Sequence, residues 1–415
     1  ILIGAEVLRL CDGLFYGVQA SALTFAENSK CQSIGDNALS SLGIETLTLP
    51  DGLLTIGNYA ISNCYNLKQL IVPDSVIYIG EQAFANNYSL IQIEIPSHAQ
   101  TGDGILSGIS PETLSIPAEM YDQIAGYDRL RDLTIKSGDL TADFSSLINL
   151  QKLFILQDVT NFSANLSALP NLEIYFDARE YTAAGYPGGG AVVTVGPHVS
   201  RIEDFLFATE TLQKVFFEEG SICTHIGSSA FAGSALSYIE LPASLQSIGV
   251  GAIGSGGSAP DIFYQGDVAG WCAIQDLGNL HVYGSGNGFA LHIGGKPVEN
   301  LTIPASVSKV ADSAFRNIPS LVSVEFAADT QIGANAFENC AALETVSGKI
   351  RSVGEYAFYN CTALRSADLR GNAATEIGAN AFLFCTALSS LTLPDSLTSI
   401  GDYAFSDSSA LASLA

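Results

Sequence analysis

Basic residues are scarce in this chain. Its 17 Lys and Arg stand against 42 Asp and Glu, a net charge of −25. Binding to phosphate backbones draws on Lys and Arg to release counterions, so nucleic acid is not an expected partner. Anionic lipid surfaces are repelled for the same reason. Basic proteins, divalent cations and neutral glycans stay open, and the plainer account is that the acids keep a long, apolar-cored chain soluble. No run of 18 apolar residues occurs, so no membrane insertion is expected within this chain. Ile1 opens it with neither Met nor a basic-then-apolar leader. A leader is expected to have been removed or to lie outside these residues, and a surface anchor would lie beyond Ala415.

Motifs that carry chemistry are missing as well. There is no C-x-x-C pair, no H-E-x-x-H and no EF-hand run of D-x-D-x-D-G. The nearest zinc-like set, Cys272, His281 and His292, has a spacing that fits no metal pattern. No metal and no cofactor is therefore expected, with weak calcium binding between loops left open. Histidines at 98, 198, 225, 281 and 292 are scattered, none beside a nucleophile element. Gly284-Ser-Gly-Asn-Gly288 has glycine where a G-x-S-x-G elbow needs serine, and Gly-rich phosphate loops are absent. The chain is not expected to be an enzyme.

What the sequence has is glycine, 40 of them, and a repeat. An Ile/Val-Gly pair followed by Ala-Phe (or Ala-Ile) starts at Ile56, Ile79, Ile226, Ile332, Val353, Ile377 and Ile400. From 332 onwards the copies are 21, 24 and 23 residues apart, inside the leucine-rich-repeat range. One unit reads as a short strand with one buried face, Leu388-Ser-Ser-Leu-Thr-Leu-Pro394, stopped by a proline that cannot donate to a ladder. A turn leads to a second extended piece, Leu397–Ile400, and Gly401 is read as permitting a tight or positive-φ bend. A single unit cannot bury its Leu, Ile and Phe side chains, whereas stacked units bury them continuously. The expected fold is an α/β-type or mostly-β repeat protein: a curved, right-handed leucine-rich-repeat solenoid of short strands with irregular or short helical returns.

The stretch from Leu391 to Phe405 follows L-x-L-P-x-S-L-x-x-I-G-x-x-A-F and resembles the BspA-type leucine-rich-repeat family almost position for position. Matches of similar quality cover roughly residues 30–96, 192–253 and 299–415. The resemblance implies a secreted or cell-surface protein of a host-associated bacterium or a parasitic protist, engaged in adhesion. Five Asn-x-Ser/Thr sequons (Asn87, Asn161, Asn165, Asn300 and Asn360) carry no weight in a bacterial protein, and Asn360 is expected to serve its loop's backbone.

Five stretches of one continuous solenoid follow from the pattern. Residues 1–96, 192–253 and 299–415 hold regular repeats. Residues 97–191 hold divergent ones, with strands at Leu114–Ile116, Leu133–Ile135, Leu153–Ile155 and Leu172–Ile174 and a loop at Tyr186–Gly190. Residues 254–298 form a Trp-containing insertion: a strand at Asp261–Tyr264, a short helix around Trp271 and a hairpin, packed across the solenoid. Trp271 is expected to be a buried clip. The sharper alternative is an aromatic platform for a sugar, made by Tyr264, Trp271 and Tyr283. Cys64, Cys340, Cys361 and Cys385 hold one place in their repeats and are expected to be free thiols packed as small hydrophobes. The outward strand column (Thr48, Ile71, Glu94, Ser115, Glu240, Thr302, Glu325, Asp368 and Thr392) reads as polar, often acidic and almost free of aromatics. Glu94, Glu240 and Glu325 are its candidate ligand-binding residues, for a basic partner or a polar glycan. The expected protein is a monomeric interaction module at the cell surface. A structural spacer is the alternative, and a glycan-processing enzyme with its site in the insertion is the third.

Overall fold

The computed structural model describes the chain except residues 125, 180, 184–189, 233–234, 254–259, 281–287, 370–374 and 412–415. Most of the loop expected at Tyr186–Gly190 lies outside the described residues. The chain divides into two compact units, Ile1–Gly190 and Ala191–Ala415. Each is a mostly-β solenoid of parallel strands; the α-helix among the described residues is a single short one, Val268–Ala273.

In the first unit each turn contributes a strand to a front row. The row runs Thr46–Thr48, Gln69–Ile71, Gln92–Glu94, Thr113–Ile116, Asp132–Asp143, Lys152–Asn165 and Glu173–Phe176, parallel throughout. A second, two-residue strand per turn builds a side row: Arg9–Leu10, Ser33–Ile34, Thr55–Ile56, Tyr78–Ile79 and Gln100–Thr101. The divergent repeats keep the register, with Leu114, Leu133, Leu153 and Ile174 side by side. All four are buried, because the strand's two-residue period sends alternate side chains inward.

The second unit repeats the plan. Its front row runs Val192–Val195, Lys214–Phe217, Tyr238–Leu241, Asp261–Tyr264 and Leu291–Ile293, and starts again at Asn300–Ile303. The strand, helix and hairpin expected between 254 and 298 are present, the hairpin pairing Leu291–Ile293 with Lys296–Pro297 antiparallel. They are not packed across the solenoid as expected: Asp261–Tyr264 and Leu291–Ile293 are members of the front row itself, because each pairs in parallel with the strand before it.

Stacking of identical side chains fills the interior. Phe315, Phe337, Phe358, Phe382 and Phe405 form one ladder, with ring centroids 5.1–5.4 Å apart and planes within 17° of parallel. Each buried ring is worth about 1.5–3 kcal/mol by area alone. The cysteine column runs beside it: Cys64, Cys340, Cys361 and Cys385 are fully buried and unbridged. Each thiol donates to a carbonyl of the preceding turn, at Leu39, Phe315, Phe337 and Phe358 respectively, across 3.1–3.3 Å. Ser408 makes the same bond to Phe382 and the Asn87 amide makes it to Ile61, whereas Ile318 fills the position without a donor.

The motif glycine has a different role from the one its sequence suggests. Gly57, Gly80, Gly354 and their equivalents do not have positive φ. A Cβ on any of them would lie within 2.7 Å of main-chain atoms in the preceding turn. Glycine is required there by close approach. The left-handed residue comes two positions later, at Asn37, Tyr59, Asn335 or Asn380, and again before the cysteine, at Asn63, Asn339 and Asn360. Asparagine tolerates that conformation better than other side chains, which accounts for Asn360 in its loop.

Candidate functional site

Side chains that point out of the front row are not needed by the core, so their chemistry is free to serve recognition. Glu94 stands in this column opposite Ile71 and Ser115. It is already committed: Lys136, two strands along, holds its carboxylate at 2.7 Å. Glu240 is half-buried opposite Phe263. Glu325 is exposed between Thr302 and Ser347. The three acids therefore sit in different surroundings.

Two of the three rings expected to form an aromatic platform, Tyr264 and Trp271, do not reach the surface. Trp271 is 0% exposed and Tyr264 2%. Their rings meet edge to face, 5.4 Å apart, and the indole Nε1 donates to the carbonyl of Ala314 at 2.7 Å. The Tyr264 hydroxyl donates to Ala243. Tyr264 ends its strand on the inward phase, and the helix that carries Trp271 starts only a few residues later. Asp267 caps it, its Oδ1 accepting from the Gly270 amide at 2.8 Å. Both rings are thereby directed into the interior. Tyr283 lies outside the described residues.

Aromatics do occupy the outward column, contrary to the expectation that it is almost free of them. In the first unit Phe154 lies beside Tyr175, ring centroids 6.0 Å apart. In the second unit Phe216, Phe263 and His292 hold the same column, and Tyr238 reaches it diagonally from two residues earlier on its strand. The four rings form a strip: Phe216 to Tyr238 is 5.1 Å, Tyr238 to Phe263 4.6 Å and Phe263 to His292 4.2 Å. All four are half-buried. Burial raises the Tyr238 hydroxyl pKa above its ordinary value, and the Glu240 carboxylate adds to the shift. His292 Nδ1 is buried without a hydrogen-bond partner among the described residues. The signal was present in Lys214-Val-Phe-Phe217 and Asp261-Ile-Phe-Tyr264, where an aromatic takes the variable position between two inward residues.

The strip can present apolar edge and face to a partner, with Glu240 and Asp261 on its margins to receive donors or cations. The buried thiols offer no comparable chemistry. Burial pushes Cys64 up to about 11 and Cys223, Cys272, Cys340 and Cys385 up to about 12, so all stay protonated and poorly nucleophilic near neutral pH. Among the described residues no three His, Cys, Asp or Glu side chains converge as metal ligands. His281 of the zinc-like set lies outside those residues. No helix among them is long and apolar enough to cross a membrane.

A leucine rich cell surface protein from Faecalibacterium prausnitzii A2-165 is similar at 20% identity over 89% of this chain and 87% of its own, with a TM-score of 0.35. A leucine-rich repeat protein from Bacteroides ovatus ATCC 8483 is similar at 19% identity, covering 100% of this chain and 86% of its own, with a TM-score of 0.30. The pneumococcal vaccine antigen PcpA is 14% identical over 89% of this chain and 82% of its own, with a TM-score of 0.39. Curated proteins gave no match. The BspA type leucine rich repeat region matches in six copies, over residues 7–124, 192–263 and 294–412. These copies span most of the sequence, so the chain belongs to the BspA-type leucine-rich-repeat family.

Proposed function

We propose that the chain is a non-enzymatic binding module displayed outside the cell, which engages a protein or glycan of a host or neighbouring cell through its front rows. One observation carries the reading. Phe216, Tyr238, Phe263 and His292 expose aromatic surface on a sheet face whose folding requires only that it be solvated. Aromatic side chains recur as the anchors of binding surfaces because they offer large area at low conformational cost. The strands beneath hold the strip without reorganisation on binding. Family membership supports an interaction role, and the surface location of the module follows the same reading.

The test is binding of the purified chain to a panel of host matrix proteins and glycans, at low and physiological salt, with the Tyr238→Ala/Phe263→Ala variant in parallel. Saturable binding that survives physiological salt and falls tenfold or more in the variant is expected. Binding only at low salt would mark attraction by net charge. Silence across the panel would favour the structural spacer, a module that holds another domain away from the envelope.

A further inference from the structure

Every side-row strand inside a row receives hydrogen bonds from the turn that follows it. Ile77 and Gly80 amides donate to Leu54 and Ile56; Gln246 and Gly249 donate to Thr224 and Ile226. The amide after the glycine donates to an Asp or Asn side chain of the preceding turn, as Asn58 does to Asp36 and Ser228 to Asp204. The side row of the second unit breaks this pattern in one place. His225–Ile226 pairs with Ser247–Ile248, and Ser247 forms a single bridge with Gln275. The next side strand is Lys309–Val310, which pairs only forward, with Gln331–Ile332.

One tier is missing between them, and the chain path explains why. The front strand Leu291–Ile293 does not continue to a side strand. It folds back at Gly294 and Gly295, both at positive φ, into Lys296–Pro297 and passes to the next front strand, Asn300–Ile303. That turn therefore supplies a front strand and no side strand. A cleft of about 710 Å³ lies where the side strand would be. Gln275 and Asp276 line it together with Ser308, Ala311 and Asp312, and the helix contributes Ala269 and Ala273. By the pattern of the other tiers, the amides of Ser308, Ala311 and Asp312 should donate into this gap. They make no hydrogen bond among the described residues, although Gln331 and Gly333 of the next turn donate in the usual way to Ser308 and Val310.

The sequence marks the same edge independently. A motif glycine is required where a preceding turn presses on it. The strands that open a row carry another residue instead: Cys11 after Arg9–Leu10, Glu203 after Arg201–Ile202, and Ala311 after Lys309–Val310. Cys11 and Glu203 belong to rows that have no earlier strand among the described residues of their own unit. Ala311 stands within a stack whose previous side-row member, Gln275, lines the far side of the same cleft.

We propose that this gap is a strand-addition site for an extended segment of a partner protein, whose main chain would run parallel to Ser308–Val310 and complete the row. Main-chain pairing would supply the affinity, as in other additions to an open sheet edge. Two features limit the occupant. The Ala311 Cβ points towards the path that a preceding turn would take, so the added segment leaves the row at that level and pairs over about three residues. Trp271 and Ile274 already fill the interior, so the segment's inward side chain is small, such as Ala, Ser or Gly. This site is separate from the aromatic strip, and neither reading depends on the other.

The experiment titrates the full chain with an N-acetylated, C-amidated Thr-Ala octapeptide and with its counterpart N-methylated at alternate residues, followed by amide chemical shifts and hydrogen exchange. The alternating peptide is expected to perturb and protect the Ser308, Ala311 and Asp312 amides, and the N-methylated one to bind at least tenfold more weakly. Ser308→Pro and Ala311→Pro remove donors that now have no partner. Both variants should melt like the parent and lose binding at least tenfold, while Tyr238→Ala/Phe263→Ala binds unchanged. Ala311→Gly should bind at least as tightly as the parent and supplies the check should a proline variant fail to fold. No shift at residues 308–312 at millimolar peptide, or undiminished binding by folded proline variants, would overturn the proposal. Self-association of the chain that Ala311→Pro abolishes would also overturn it, by placing a second copy in the gap.

Discussion

Within the second unit, two neighbouring regions solve one packing problem in opposite ways. From Ala314 to Phe405 each turn presents the same phenylalanine to its neighbours, and the ladder extends by repetition. Between Asp261 and Pro297 the repeat lapses. There a single tryptophan, wedged between Tyr264 and the carbonyl of Ala314, closes the interior where a side strand is absent. The repeated solution distributes stability over nearest neighbours. The unique solution concentrates it in one residue, and leaves an open edge beside it.

Breaking the ladder should have the largest effect. Phe337→Ala removes a ring stacked on both sides, and a loss of about 3–5 kcal/mol is expected in denaturant unfolding. Trp271→Phe keeps much of the packing but strips Ala314 of its indole donor, for a loss of about 1–3 kcal/mol. If the tryptophan variant lost more than the phenylalanine variant, the regular stack would depend on the irregular tier rather than the reverse.

The glycine rule gives a sharper contrast at equal chemistry. Gly354→Ala would place a Cβ 2.6 Å from main-chain atoms of Gly333 and is expected to cost about 1–3 kcal/mol through forced backbone shifts. Ala311→Gly, at the open edge, should change the melting temperature little, because nothing presses on that position. Equal effects in the two variants would remove close approach as the reason for the glycine.

The cysteine column makes stability depend on alkaline pH. Burial raises the folded-state pKa of Cys340 and Cys385 to about 12 from an ordinary value near 9. The folded chain keeps these protons while the unfolded chain releases them, so stability is intact below pH 9 and declines as pH rises from 9 towards 12. Each thiol should cost about 1.4 kcal/mol per pH unit in that window. Unfolding free energies of the parent and of Cys340→Ala/Cys385→Ala should converge between pH 8 and 10.5. The smallest effect is expected at Ser229, which holds φ at 52°. Ser229→Gly should stabilise by up to about 1 kcal/mol, read as a rise in melting temperature.

Much of the fold was legible before any coordinates. The Ile-Gly-x-x-Ala-Phe recurrence located the tiers. Leu114, Leu133 and Leu153 located the divergent ones, while the strand expected at Leu172–Ile174 lies at Glu173–Phe176, where Ile174 rather than Leu172 stands beside Leu153. Trp271 announced its helix and its burial. The candidate site was legible only in part. Glu94 looks like a free acid in sequence, because Lys136, which neutralises it, is 42 positions away and belongs to another strand. Phe216 and Phe263 occupy variable positions of the motif, where no pattern singles them out. Tyr238 joins them only through a diagonal lean between strands.

The sequence by itself determined the architecture, since a repeated pattern of inward residues has one economical way to be buried: against its own copies. It also determined that the column beside the phenylalanines is buried, filled by thiols in four turns and by Asn87, Ile318 and Ser408 in others. Tertiary structure alone decided which outward side chains meet, because the register between turns and the tilt of each ring are set by neighbours and not by local sequence. It alone decided that one turn would lack its side strand. The Gly294–Gly295 reversal spells only a hairpin, and the vacancy it leaves exists only between the turns on either side.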